Sequence, residues 1–225
     1  MHNLVNNLNI VINEKLFVKN PQTSELGKKI IEQSILLIDE IGFDYFTFKK
    51  LGEKINSNES SIYRYFENKH KLLLYLSSWY WSWMEYKLVF ATINLTNPID
   101  KLNKAIHVVT QPIEDDLATP YINESVLSRI IITEFSKTFL TKEVDEENKE
   151  GFFLVYKRVV NRLIEVIEEV NPNYPFSKSL ASTVIQGSLH QHFLKDHFKT
   201  ITNCSEQLSA THFYSHLVLK QLQNP

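Results

Sequence analysis

The chain has 225 residues, 43% of them hydrophobic and 22% charged, which fits a packed globule and excludes a disordered polar chain. A formal net charge of −2 gives no general attraction to nucleic acid, so any DNA contact must come from a local patch. Only 5 Gly and 7 Pro interrupt the chain, which favours a few long helices over many short strands. The single cysteine, Cys204, forms no internal disulfide and fits a reducing compartment. The opening MHNLVNNLNIVINEKL lacks a basic region followed by an apolar run, so no signal peptide is expected. The most apolar stretch, from Trp79 to Phe90, is broken by Ser82, Glu85 and Lys87, too polar for a membrane span. A cytoplasmic location is expected.

Residues 1–20 read as an Asn-rich arm with a weak alternation at Ile10, Ile12, Leu16 and Val18, either a short strand pair or ordered coil. Pro21 and Thr23-Ser24 open a helix that carries Leu26, Ile30, Leu37, Ile38 and Ile41 at helical spacing and ends at Gly42. Thr47 caps a short helix, FKKLGEKI. Asn56-Ser57-Asn58 is a tight turn, in which Asn56 tolerates positive φ and Asn58 caps the next short helix, ESSIYRYF. Two short helices joined by three or four residues have the size of a helix-turn-helix.

Further on, a helix is expected from Lys71 to Ile93, with Trp79, Trp81 and Trp83 within five residues. Asn97-Pro98 opens the next, which Pro112 bends or ends. Others are expected from Pro120 to Phe139, from Gly151 to Val170, from Pro175-Ser177 to Lys199, and from Ser205 to Leu222. The whole is an all-α chain of about nine helices.

Over residues 24–75 the sequence resembles the TetR family of bacterial repressors. The residues that carry the resemblance are Ile30-Ile31, Gly42-Phe43, Thr47, Leu51, Ile55, the turn, Ile62-Tyr63-x-Tyr65-Phe66, and Lys69 with Leu72-Leu73. Gly52 and Asn56 stand where Ala and Gly are usual, and Glu59 brings a negative charge to the head of the second short helix. The resemblance implies an arm at 1–22, a helix-turn-helix DNA-binding domain at 23–69, and a helical ligand-binding and dimerisation domain at 70–225. It implies a homodimer on a double-stranded DNA operator, answering to a small-molecule effector and needing no cofactor.

In such a head, Glu59, Ser60, Ser61 and Arg64 would face base edges from the start of the recognition helix, next to Asn58. Thr47, Lys49, Tyr63, Lys69 and Lys71 suit phosphates, and Tyr65 is divided between a packed ring and a hydroxyl within reach of one. Between Lys49 and Lys71 stand six basic residues against three acidic ones, a local positive patch. For any single lysine the plain alternative is a solvated surface residue.

For an effector pocket the candidates are Trp79 and Trp83, with His107, Gln111, Arg129 and Glu134 as orienting polar groups. The bland alternative is that the aromatics fill the core. His212 and His216 stand four apart but lack the surrounding pattern of a metal site, so none is expected. No arrangement suited to catalysis stands out, so an enzyme is not expected. The last two helices carry apolar faces suited to a subunit interface. The leading reading is a repressor released by an apolar or aromatic ligand, and the alternative is a DNA-binding regulator controlled by a partner protein.

Overall fold

The computed structural model describes residues 10–115 and 119–223. Among the described residues it holds eleven α-helices and no strand. They fall into two compact units, residues 1–80 with 113–153 and residues 81–112 with 154–225. Residues 1–9 of the expected arm lie outside the described residues.

In the first unit the chain enters as ordered coil with single 3-10 turns at Glu14–Leu16 and Pro21–Thr23, each capped by an Asn side chain. Ile10, Ile12 and Leu16 are buried, whereas Val18 is 66% exposed. Helix α1 (Glu25–Ile41) starts at Ser24, whose hydroxyl accepts from the Gly27 N–H. It ends at Gly42, as its sequence predicts, at a positive φ of +77° with ψ 155°. Helix α2 (Phe48–Ile55) is capped by Thr47 and closed by Asn56, which sits at φ 54°, ψ 51° as its tolerance for that region allows. Helix α3 (Glu59–Tyr63) is capped by Asn58 and is shorter than the sequence suggested.

Helix α4 (Lys69–Thr92) begins in the first unit and ends in the second. It is buried nearly all round from Leu72 to Met84, as its sequence pattern requires. The first unit closes with α6 (Glu124–Thr133), α7 (Phe135–Phe139) and α8 (Val144–Lys149). Pro120 does not open the expected long helix. Asn123 caps α6 through the Val126 N–H, the Asp115 carboxylate accepts from the Ser125 N–H at 3.0 Å, and a break at Glu134 separates α6 from α7. The backbone bond to Ser125 comes first among the contacts that hold the Asp115 carboxyl below its ordinary value. The acidic residues Asp145, Glu146 and Glu147 lie in α8, docked on the start of α4 where His70 Nε2 meets Glu147 Oε1 at 2.6 Å.

The second unit holds α5 (Pro98–Thr110), α9 (Leu154–Val170), α10 (Ser177–His197) and α11 (Ala210–Gln223). Asn97 accepts from both the Ile99 and Asp100 N–H groups, so α5 starts where the Asn-Pro pair predicts. Helices α9 and α11 start three and five residues later than expected, at Leu154 and Ala210. Helix α5 packs against α9, α10 and α11 at once. Where α10 meets α11, a Cβ at Gly187 would overlap the Tyr214 hydroxyl, so the phenol occupies the space that the glycine leaves. Polar seams tie α5 down: Ser188 Oγ donates to the Val109 carbonyl and His192 Nε2 lies 2.9 Å from the Thr110 carbonyl. Glu85, in the second half of α4, pairs with both Arg158 and Arg162 of α9.

Candidate nucleic-acid interface

Helices α2 and α3 meet across a turn that is closed by backbone. The Ser57 N–H donates to the Gly52 carbonyl at 2.8 Å, and a Cβ at position 52 would lie 2.8 Å from the Ser57 oxygen. Gly52 therefore has a packing reason in this chain that its helix position hides. The buried faces of α2 and α3 carry Phe48, Leu51, Ile55 and Ile62, with Phe66 next in the core. Most of the DNA-contact candidates are exposed.

Thr47, Lys49, Asn58, Ser60, Tyr63 and Arg64 are exposed, while Glu59 and Ser61 are half-buried. Thr47 and Asn58 spend their side-chain oxygens on caps, accepting from the Lys50 and Ser60 N–H groups. Tyr63 leans edge-on against Phe48, 5.0 Å between ring centroids, which fixes its outward angle. Among the described residues of the basic segment, only Lys49 and Arg64 are basic side chains with no protein partner. Lys54 pairs with Glu40, Lys50 donates to the Tyr45 carbonyl, and the Lys71 ammonium sits 3.9 Å over the Phe152 ring.

Two candidates turn inward. The Tyr65 ring is buried and its hydroxyl lies 2.8 Å from Ser24 Oγ. Lys69 Nζ donates to the carbonyls of Phe43, Asp44 and Phe46 at 3.0, 3.1 and 3.2 Å. An ammonium has three N–H donors, so all three are engaged in holding the loop between α1 and α2. The sequence reading missed Tyr45 on that loop, which is 72% exposed and braced by the Lys50 ammonium. Its only signal was an aromatic residue set between Asp44 and the buried Phe46.

Comparison with known proteins decides what this head is. The family profile "Bacterial regulatory proteins, tetR family" matches residues 30–76, from α1 through the first turns of α4. The head thus carries the tetR-family sequence pattern over residues 30–76. The TetR-type fold extends over most of its length. The structure of AibR in complex with isovaleryl coenzyme A and operator DNA aligns at a TM-score of 0.57 and 16% identity, covering 88% of this chain and 97% of that one. The TetR family transcriptional regulator PfmR from Thermus thermophilus aligns at 0.55 and 14%, covering 85% and 97%. The superantigen PfiT aligns at 0.59 and 14%, covering 88% and 96%. No curated protein matches the chain in sequence.

The residues proposed for an effector pocket divide between the two units. In the first unit Trp79 is 2% exposed, Arg129 is paired with Asp39, and Glu134 with Lys137. In the second, Trp83 is 1% exposed under the Lys87 ammonium, while His107 is exposed. Gln111 is half-buried at the end of α5. Phe90, farther along α4, is 67% exposed.

A cleft of about 370 Å³ opens instead between α10 and α11, lined by Gln191, Thr202, Cys204, His212, Phe213 and His216 among others. Nothing in the sequence signals it, because the 198–209 connection that forms one wall has no periodicity. No group of three His, Cys, Asp or Glu side chains among the described residues is placed to hold a metal. Among the described residues, no helix is long and apolar enough to cross a membrane.

Proposed function

We propose that this chain is a cytoplasmic, sequence-specific transcriptional repressor that binds operator DNA as a homodimer and is released by a small ligand. The observation that carries the DNA-binding part is the exposed face of α3. It presents Ser60 near its start and Arg64 at its C-terminal cap outward, with no protein partner for the guanidinium, and Lys49 of α2 is a second unpaired cation. Arg64 reads a base, while Lys49 and Tyr63 hold phosphates. The functional division follows as arm 1–22, head 23–69, and ligand-binding and dimerisation region 70–225. Homodimerisation uses α10 and α11, and AibR, of like fold, supports both an operator and an acyl-type effector.

The ligand is small and largely apolar or aromatic, and the α10–α11 cleft is within the size range of ligand sites. Control by a partner protein is the second reading, favoured by one observation: Trp79 and Trp83 are packed as core residues. Selection of duplexes from a random DNA pool tests the central reading, with Arg64→Ala expected to relax preference at one base pair in each half-site. Failure to recover any preferred sequence would defeat it. Light scattering at micromolar concentration tests the dimer. Loss of operator affinity on adding small apolar acids or aromatics separates ligand control from partner control.

A further inference from the structure

We infer that the arm at residues 10–19 is a working part of the DNA-reading head, and that Val18 and Tyr65 position the recognition helix through it. This rests on the DNA-binding reading and gives a role to residues outside 24–75, the stretch that carries the resemblance. Just past the end of α3, the Tyr65 carbonyl accepts from the Val18 N–H at 2.8 Å, and its phenol lies 2.8 Å from Ser24 Oγ at the start of α1. The Lys19 ammonium stands 5.2 Å over the same ring. Tyr65 is thus held at its backbone, its ring and its hydroxyl by residues 18–24.

The arm is itself anchored. Ile10, Ile12 and Leu16 are buried, Phe17 packs edge-on against Tyr75, and Gln22 donates to both the Ile10 carbonyl and the Tyr75 hydroxyl. Farther along, the Asn13 amide donates to the Glu150 carbonyl and the Lys15 ammonium pairs with the Glu150 carboxylate. Helix α3 has only five residues, too few to hold its own angle. Its N-terminal end is fixed by the turn and its C-terminal end by this tether. Arg64 is the residue directly before Tyr65, so a loosened tether changes where its guanidinium points.

The test uses the full chain and the duplex recovered by selection, against a scrambled duplex of equal length. Val18→Pro removes the N–H donor. The preceding Phe17 sits at φ −144°, ψ 154°, a conformation that a following proline accepts. Val18→Ala keeps the donor, and Tyr65→Phe removes the hydroxyl while keeping the ring. The expected result is that Val18→Pro and Tyr65→Phe each lower the ratio of selected to scrambled affinity by about fivefold, the worth of one net hydrogen bond, while Val18→Ala leaves it unchanged.

A purely structural role would lower the melting temperature and leave the ratio alone in the folded protein, and that result overturns the inference. So does an equal loss in Val18→Ala. If Val18→Pro does not fold, Tyr65→Phe decides alone, because it frees the same residue from Ser24, at the other end of the 18–24 segment that holds it. A parent chain without preference for any duplex defeats the DNA-binding reading itself.

Discussion

The backbone N–H of Phe43 donates to the carboxylate of Glu134 at 3.4 Å across 91 residues of chain. The Phe43 N–H belongs to the loop that leads into α2, and Glu134 occupies the break between α6 and α7. Lys137 completes the joint by pairing with both Glu134 and Asp44, at 2.9 and 2.8 Å. The loop entering the helix-turn-helix is therefore held by residues far along the chain within the same compact unit.

Removing that acceptor should be felt in stability. Glu134→Ala leaves a buried N–H unsatisfied and should cost about 1–3 kcal/mol, whereas Glu134→Gln keeps an acceptor oxygen and should cost less. Urea denaturation of the two variants against the parent checks this, and equal midpoints in all three would contradict it.

Lys49 and Lys69 should behave differently on DNA. Lys49→Ala is expected to weaken binding to every duplex and to reduce the slope of log affinity against log salt by about one. Lys69→Ala is expected to lower stability by about 1–3 kcal/mol, with little change in that slope, because its three donors hold carbonyl groups. Titrations at several salt concentrations, paired with thermal melts, separate the two. A slope change at Lys69 as large as at Lys49 would return it to the phosphate.

Gly52→Ala should destabilise the head despite alanine's better helix propensity. The propensity gain is about 1 kcal/mol, and overpacking against the Ser57 carbonyl costs about 1–3 kcal/mol. A melting temperature above the parent's would show that the turn relaxes freely.

Stability should also depend on pH through His192. Burial is the first cause that pushes its imidazole below 6.5, and its bond to the Thr110 carbonyl only partly offsets this. Below 6.5 the unfolded chain takes up the proton before the folded one does. The neutral, buried ring therefore contributes fully above that value, and its contribution is lost as pH falls from there towards the lower folded value. The stability gap between the parent and His192→Gln should accordingly shrink between about pH 7.5 and about pH 5.5. A gap that stays constant, measured by denaturation at both, would remove His192 from the account.

The sequence by itself determined the helical class, the helix-turn-helix and its register, and the caps at Thr47, Asn56, Asn58 and Asn97. These are local matters. At Thr47, Asn58 and Asn97 a side-chain oxygen reaches an N–H two or three residues ahead, at Asn56 the residue's own backbone turns left-handed, and a helix face repeats every three or four residues. Only the tertiary structure decided that Lys69 turns inward, that the Tyr65 hydroxyl meets Ser24, and that the α10–α11 connection walls a cleft. It also decided that Gly52 is needed by the backbone of the turn. The partners of Lys69 lie 23 to 26 residues away, that of Tyr65 lies 41 away, and that of Glu134 lies 91 away. A donor's choice between solvent, phosphate and a distant carbonyl depends on which atoms the fold brings within about 3 Å, and no periodicity in the chain encodes that distance.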